Sequence, residues 1–376
     1  MIRRALLPAL AGLLVAALPS RLAAQQGLYS AASIAGGVEF KQYNFGNGFG
    51  VDRLSQVAFP VGVAVPIGRR FTVDIGTQYA ITSVADTSGG HSSFSSLTDT
   101  QLRGAYTFGT DALVASLVIN LPTGKQTTTL QQFGVSSSAS SNFLLFPVNS
   151  YGSGVSVTPG VAAATTAGGW NLGAAASIRF NGEYQPFSGA GNTGLKYQPG
   201  VEARFRVGAD RLVGPSRLSM GLTFSTFGTD ELRGGGLGNG AFDPGNRILV
   251  DLGLLSPVGT GTMSIYLWNY YRGTSGSGAT SSGNKEDVLT GGVSGSFPLS
   301  PKMTIEPLVE ARFWIPEEGS GRLLGAGSSL RIALSPVLAL IPGARVDLGS
   351  IRAPLATSRQ SITGWSLSTF LQYTFK

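Results

Sequence analysis

The chain has no cysteine and a single histidine among its 376 residues. The first absence excludes a disulfide scaffold, a thiolate metal site and a cysteine nucleophile. Charge is scarce as well: Asp, Glu, Lys and Arg make up 12% of the sequence, with no Lys/Arg run, so nucleic acid is not an expected partner. Beyond residue 26 no stretch supplies the roughly 18 consecutive apolar residues that a spanning helix needs. The mean hydropathy is nevertheless +0.17, greasy for an exported soluble chain. Apolar residues are therefore spread through the sequence instead of gathered, as in a barrel whose every second side chain faces lipid. Without disulfides, such an exported chain must draw its stability from a closed hydrogen-bonded sheet.

What is present begins with a secretory signal. Arg3 and Arg4 precede an apolar run from Ala5 to Leu18, then Pro19-Ser20 and the small pair Ala23-Ala24. Cleavage is expected after Ala24, dividing the chain into a signal peptide (1–24) and one barrel domain (25–376). Losing Arg3, Arg4 and Arg21 takes the formal net charge from +7 to +4, which is mild. The expected destination is a bacterial outer membrane, with its lipid, the export route and the barrel-assembly machinery as partners.

The last segment carries the clearest strand pattern. Trp365, Leu367, Thr369, Leu371, Tyr373 and Phe375 fall on one face; Gly364, Ser366, Ser368, Phe370, Gln372 and Thr374 fall on the other. Comparable alternation recurs from residue 30 onward and predicts strands near 30–44, 53–66, 70–83, 96–108, 111–122, 153–166, 169–182, 194–207, 215–228, 245–256, 261–273, 287–298, 302–315, 321–334, 337–348 and 361–375. The fold class read from this is all-β: a closed antiparallel transmembrane barrel of about sixteen strands, with fourteen as the alternative. Tight connections at 66–69, 109–110, 167–168, 259–260 and 300–301 alternate with longer polar ones at 84–95, 123–152, 183–193, 229–244, 274–286 and 349–360. This parity predicts short periplasmic turns, long outer loops and periplasmic termini, and is weakest at the short outer connection 316–320. Leu-Ser-Pro recurs at 255–257, 299–301 and 334–336, each at an expected periplasmic turn, where proline costs no ladder bond. Aromatics near strand ends, such as Phe71 with Tyr79, Tyr197 with Phe205, and Phe313 with Trp314, are expected to form interfacial girdles.

The order of short motifs from Ile119-Asn120-Leu121-Pro122-Thr123-Gly124-Lys125, through Tyr151-Gly152-Ser153-Gly154 and Gly169-Trp170-Asn171-Leu172-Gly173-Ala174, to Tyr197-Gln198-Pro199-Gly200, resembles outer-membrane barrels of the phenol meta-pathway type and, more distantly, fatty-acid-transporter-like barrels. The likeness covers roughly residues 96 to 207. It implies a channel for small, hydrophobic or aromatic molecules. Fatty-acid transporters carry an N-terminal hatch; here strand signals begin within a few residues of the expected cleavage site, so a constriction has to come from an infolded loop. The longest, 126–152, is the best placed.

If apolar faces meet lipid, the lumen receives Asp99, Arg103, Arg179, Lys196, Glu202, Arg204, Arg206, Glu306, Glu310, Arg312, Arg331 and Arg345, together with Glu39, Lys41, Asp74, Asp251 and Asp347. Such charges either set the field along a pathway or pair across a narrow interior. Arg204 and Arg206 beside Arg179 make a positive wall that favours anionic permeants such as aromatic acids. His91 with Ser92 and Ser93 on a loop lacks a third, orienting group, so no catalysis is expected. No cofactor is expected, and 234–240 is a glycine-rich loop with no following Lys-Ser/Thr to make it a phosphate cradle. The function expected is passive diffusion of small molecules; the alternative is a surface-interaction barrel with a filled lumen.

Overall fold

The computed structural model of the chain describes residues 31–46, 49–109, 112–188, 194–234, 239–277, 280–281, 285–353 and 356–375. The expected signal peptide lies outside the described residues. One antiparallel sheet accounts for almost everything else, and it closes on itself in sixteen strands. These are β1 (Ser33–Phe45), β2 (Val51–Ile67), β3 (Phe71–Asp86), β4 (His91–Leu97 continued by Thr100–Phe108), β5 (Leu113–Leu121), β6 (Ser156–Ala167), β7 (Trp170–Asn181) and β8 (Glu202–Val213). They continue as β9 (Ser216–Phe227), β10 (Arg247–Val258), β11 (Gly261–Arg272), β12 (Glu286–Ser300), β13 (Met303–Trp314), β14 (Ser320–Ser335), β15 (Leu338–Arg352) and β16 (Gln360–Thr374). Closure is made by β1 and β16, paired without a break from Ser33↔Thr374 to Phe45↔Ile362.

Side-chain alternation follows the predicted faces. On β16, Trp365, Leu367, Leu371 and Tyr373 are exposed on the outer surface, as is Phe375 just beyond, while Ile362 and Gly364 are buried inside. On β2 the outer face runs apolar from Ile67 through Val65, Val63, Val61 and Phe59 to Val57. At about 3.3 Å per residue and a tilt of about 40°, that run covers roughly 25 Å along the barrel axis, the height of a bilayer's apolar band. A continuous greasy exterior of this height is unstable in water and suits hydrocarbon.

The tight connections gather at one rim. The β6–β7 turn is Gly168-Gly169 with φ of 57° and 78°, the left-handed pair that a two-residue type I′ hairpin demands. The three Leu-Ser-Pro copies reach this rim too, and two of them coincide with register shifts, at Pro298/Ser300 and Ala333/Ser335. At the other rim the expected long loop 84–95 is not there. β3 runs on to Asp86 and β4 starts at His91, because the Asp86 carboxylate accepts from the Ser88 amide (2.9 Å), the Ser88 hydroxyl (2.6 Å) and the Gly90 amide (2.8 Å), closing a compact turn.

The expected strand 194–207 is also corrected. Lys196–Gln198 belongs to a small outer sheet with Asp230–Arg233 and Gly240–Phe242, and the barrel strand starts only at Glu202. Pro199-Gly200 breaks the run: Gly200 lies so close to the Gly228 backbone that no side chain fits. Leu195 is consequently buried within the outer structure, not lipid-facing, and the Tyr197 hydroxyl donates to Asp230 instead of standing in a girdle. Trp314, also expected at the interface, points inward.

Candidate functional site

The connection between β5 and β6, residues 122–155, folds into the lumen. Its two ends are tied to one carboxylate: Asp99, at the break in β4, accepts from the Gly124 amide (3.2 Å), the Ser153 amide (2.8 Å) and the Ser153 hydroxyl (3.2 Å). The helix α1 (Leu130–Ser138) follows, opened by a capping box in which Thr129 and Gln132 satisfy each other's backbone amides. Beyond it the chain descends, and Ala139, Phe143, Leu144, Phe146, Val148 and Tyr151 are all buried.

Three consecutive carbonyls latch this segment to the wall. Arg312 Nη1 donates to Phe143 O (2.5 Å), Tyr43 OH to Leu144 O (3.2 Å) and Lys41 Nζ to Leu145 O (2.9 Å). Presenting successive carbonyls this way puts Leu145 at a φ of 50°, a conformation that costs an L-residue about 1–2 kcal/mol. Gln56 adds a two-way clasp on Val148, donating to its carbonyl (2.8 Å) and accepting from its amide (2.7 Å). Phe143 stacks at 6.0 Å on Trp314, and a Cβ on Gly321 would stand 2.7 Å from its ring. Gly364 makes the same allowance for Tyr43.

Beneath the latch lies a dehydrated charge cluster. Arg345 Nη2 bridges Glu310 (2.9 Å) and Asp347 (2.7 Å), Arg312 pairs with Glu310, and the single Tyr43 proton is shared between Leu144 O and Asp347 (3.1 Å). Tyr266 donates to the second Glu310 oxygen (2.7 Å). Buried ions survive only when such pairing is near complete, so these six side chains behave as a unit. Of the expected lumen charges, Glu310, Arg312 and Arg345 are thus sealed under the loop, where pairing across the interior is their role.

The opposite wall is different. Arg103 pairs with Asp74 (2.5 Å), Arg204 with Glu202 (2.6 Å) and Arg206 with Asp251 (2.9 Å), while Arg179 donates to Ser156 (3.1 Å). Cross-strand register lines up Ser177, Arg204, Ser225, Arg247, Arg272 and Glu286 in one row from β7 to β12. Arg179 sits beside Glu202 in the adjacent row. A cavity of about 210 Å³ opens here among Arg103, Asn120, Thr158, Arg179 and Arg204. Nearer the short-turn rim, Glu306 accepts from Ser329 (2.8 Å), and Arg331 donates through both Nη atoms to Gln372 (3.2 Å each). Lys196 is not in the lumen at all; it pairs with Glu183 in the outer sheet (2.8 Å), a consequence of the strand break at Pro199-Gly200. Arg247 and Arg272 were not among the expected lumen charges. Arg247 was within reach, since it shares parity with Asp251; Arg272 was hidden because the inner face of β11 carries Tyr266, Trp268 and Tyr270, so polar and apolar residues do not alternate there.

His91 points outward and Ser92 inward, where Gln131 donates to its hydroxyl (2.9 Å), so the two cannot act as a pair. Among the described residues no group of His, Cys, Asp and Glu is arranged to hold a metal ion.

No family model matches the chain, and no curated protein matches it in sequence. Solved structures similar to it include a bacterial polysaccharide outer membrane secretin (10% identity, 93% of this chain and 99% of that chain, TM-score 0.46). Another is the TodX monoaromatic hydrocarbon channel in a deltaS2 mutant (9% identity, 92% and 91%, TM-score 0.45). A third is a loop L8 deletion mutant of OmpT, an outer membrane protein of Vibrio cholerae (10% identity, 92% and 99%, TM-score 0.42).

Proposed function

We propose that this chain is an outer-membrane channel through which small molecules diffuse passively, with anionic ones favoured. The observation that carries the reading is the asymmetry of the lumen. Deep contacts of the infolded loop fall on β1–β4 and β11–β16, leaving the arginine-bearing wall of β5–β10 facing free space. Sixteen strands spaced about 4.8 Å and tilted about 40° enclose a bore about 30 Å across between backbones, and one loop layer about 10 Å thick does not fill it. Arginines along the open side set a field that favours anions.

In this reading the signal is removed after Ala24, the short-turn rim and both termini face the periplasm, and the long connections face outward. The resemblance of residues 96–207 to phenol meta-pathway barrels supports hydrophobic or aromatic permeants. The arginines add a preference for their carboxylates, so aromatic acids are the favoured class. Planar-bilayer recordings in a tenfold KCl gradient test this. Expected is a reversal potential of anion-selective sign that moves toward zero by at least half in Arg179→Ala/Arg204→Ala. Cation selectivity, or no conductance and no solute flux in liposome swelling, would overturn it, the last result favouring the filled-lumen barrel.

A further inference from the structure

The outer surface of β1–β4 carries a second feature that permeation does not use. From the short-turn rim upward, the outward faces of β1–β3 are apolar, Thr77 excepted, as far as one register row: Phe40, Val57 and Ile81 are cross-strand neighbours, with Ser95 of β4 beside Ile81. At the next outward row the chemistry changes at once to Gln42, Ser55, Ser83 and Ser93, again direct neighbours. One row further stand Asn44, Arg53, Ala85 and His91. The change is local. At the same end of β7–β9 the outward side chains are Phe180, Val201 just before β8, and Phe224, all exposed and apolar.

Three properties make this patch more than polar decoration. It is concave, a cavity of about 360 Å³ lined by Gln42, Arg53, Ser55, Ser83, His91 and Ser93. Its position is fixed by the apolar run below it: Val57 to Ile67 already spans the roughly 25 Å of a hydrocarbon band, so Ser55 and Arg53 stand at headgroup level. Finally, Arg53 is exposed and forms no ion pair or hydrogen bond among the described residues, while the nearby Asp86 carboxylate is already occupied by Ser88 and Gly90. Asp52, its neighbour in the chain, sits at the register break between Val51 and Arg53 and is exposed. A cation, an imidazole and a bed of hydroxyls and amides at that depth match a phosphorylated sugar with acyl chains lying down the wall below it.

We propose that the β1–β4 exterior is a binding site for one molecule of a lipid A-type glycolipid, its phosphate held by Arg53 and its sugar hydroxyls by Gln42, Ser55, Ser83 and Ser93. Phe40, Val57, Ile81 and the Phe59–Tyr79 pair (6.3 Å between centroids) form the track for its acyl chains. The site rests on the outer-membrane reading given above, which puts this rim in the outer leaflet.

The test uses the whole barrel in phosphatidylcholine nanodiscs doped with lipid A, with glycolipid retained per barrel counted by native mass spectrometry after detergent extraction. Wild type is expected to keep about one lipid A, and Arg53→Ala/His91→Ala at least fivefold less. Arg211→Ala removes an outward cation at the opposite rim, where Arg211 stacks on Trp170 (5.7 Å), and is expected to behave as wild type. Bilayer conductance of each variant reports that the barrel is closed. Equal retention by wild type and the double variant, or an equal loss in Arg211→Ala, would overturn the site while leaving the channel reading intact. A chain that inserts into neither kind of bilayer would overturn both.

Discussion

Replacing Phe143 by alanine isolates the energetics of the infolded loop. Phe143 is 1% exposed, wedged between Trp314 and the niche left by Gly321. Truncating a fully buried phenylalanine costs about 3–5 kcal/mol. The side chain is wetted whenever the loop lifts away, so nearly all of that cost falls on the docked state. At about 1.4 kcal/mol per factor of ten, the lifted population should rise a hundredfold to a few thousandfold. The latch itself is untouched, since Arg312, Tyr43 and Lys41 grip backbone carbonyls that alanine retains. The loop should therefore remain mostly docked but open far more often.

The absence of native cysteine makes this measurable without background. Val148→Cys places a thiol of similar size at a position 3% exposed, whose backbone clasp on Gln56 is preserved. When docking and lifting are fast compared with labelling, the maleimide reaction rate scales with the lifted fraction. It should be about a hundredfold or more faster in Phe143→Ala/Val148→Cys than in Val148→Cys alone, and single-channel records should show brief high-conductance excursions. A rate changed by less than threefold would refute the claim that residues 139–151 dock as one unit.

Three further outcomes are expected. Gly364→Ala drives a methyl into the Tyr43 ring, so it should weaken the Leu144 attachment by about 1–3 kcal/mol and raise the same labelling rate. Leu371→Arg puts a charge on the lipid face well inside the apolar band and should destabilise the reconstituted barrel by about 2–4 kcal/mol in urea titrations, while Ser368→Arg, on the inner face, should instead alter conductance. In the outer structure, burial first, then Asp230 and Asp99, push the Tyr184 phenol up to about 12. A phenol raised in the folded state contributes its stability in full below about pH 10 and loses it as pH climbs toward 12. Tyr184→Phe should delete a tyrosinate absorbance step near pH 12, and a step lost near pH 10 would contradict the burial of that ring.

Much of this fold was legible because a barrel wall repeats one rule. Trp365, Leu367, Leu371 and Tyr373 must face out if Ser366, Ser368 and Gln372 face in, and a slip of one residue would reverse them all. The exceptions arose where local chemistry overrides alternation. Leu195–Tyr197 alternates as well as any strand, yet Pro199-Gly200 detaches it, and no periodicity reveals that Gly200 abuts the Gly228 backbone. Residues 126–152 carry no period of two, so length alone marked them as the constriction. Thr129 and Gln132 carry the signature of a helix start, which a period of two does not reveal. The division of arginines into sealed and open sets was not legible at all. Arg312 and Arg204 look alike in sequence, and only the path of the loop decides which one meets water.

The seam between β1 and β16 has its own implication for biogenesis. Ser33 finds its partner in Thr374, so the sheet keeps two raw edges until β16 has been made. No shortened chain lacking β16 can hide the unpaired amides of β1, and hydrocarbon offers them nothing in exchange. Assembly is therefore all-or-none with respect to the final strand: a nascent chain has to be kept from aggregating through synthesis and transit, and its last hydrogen-bonding step joins the segments that were made furthest apart in time.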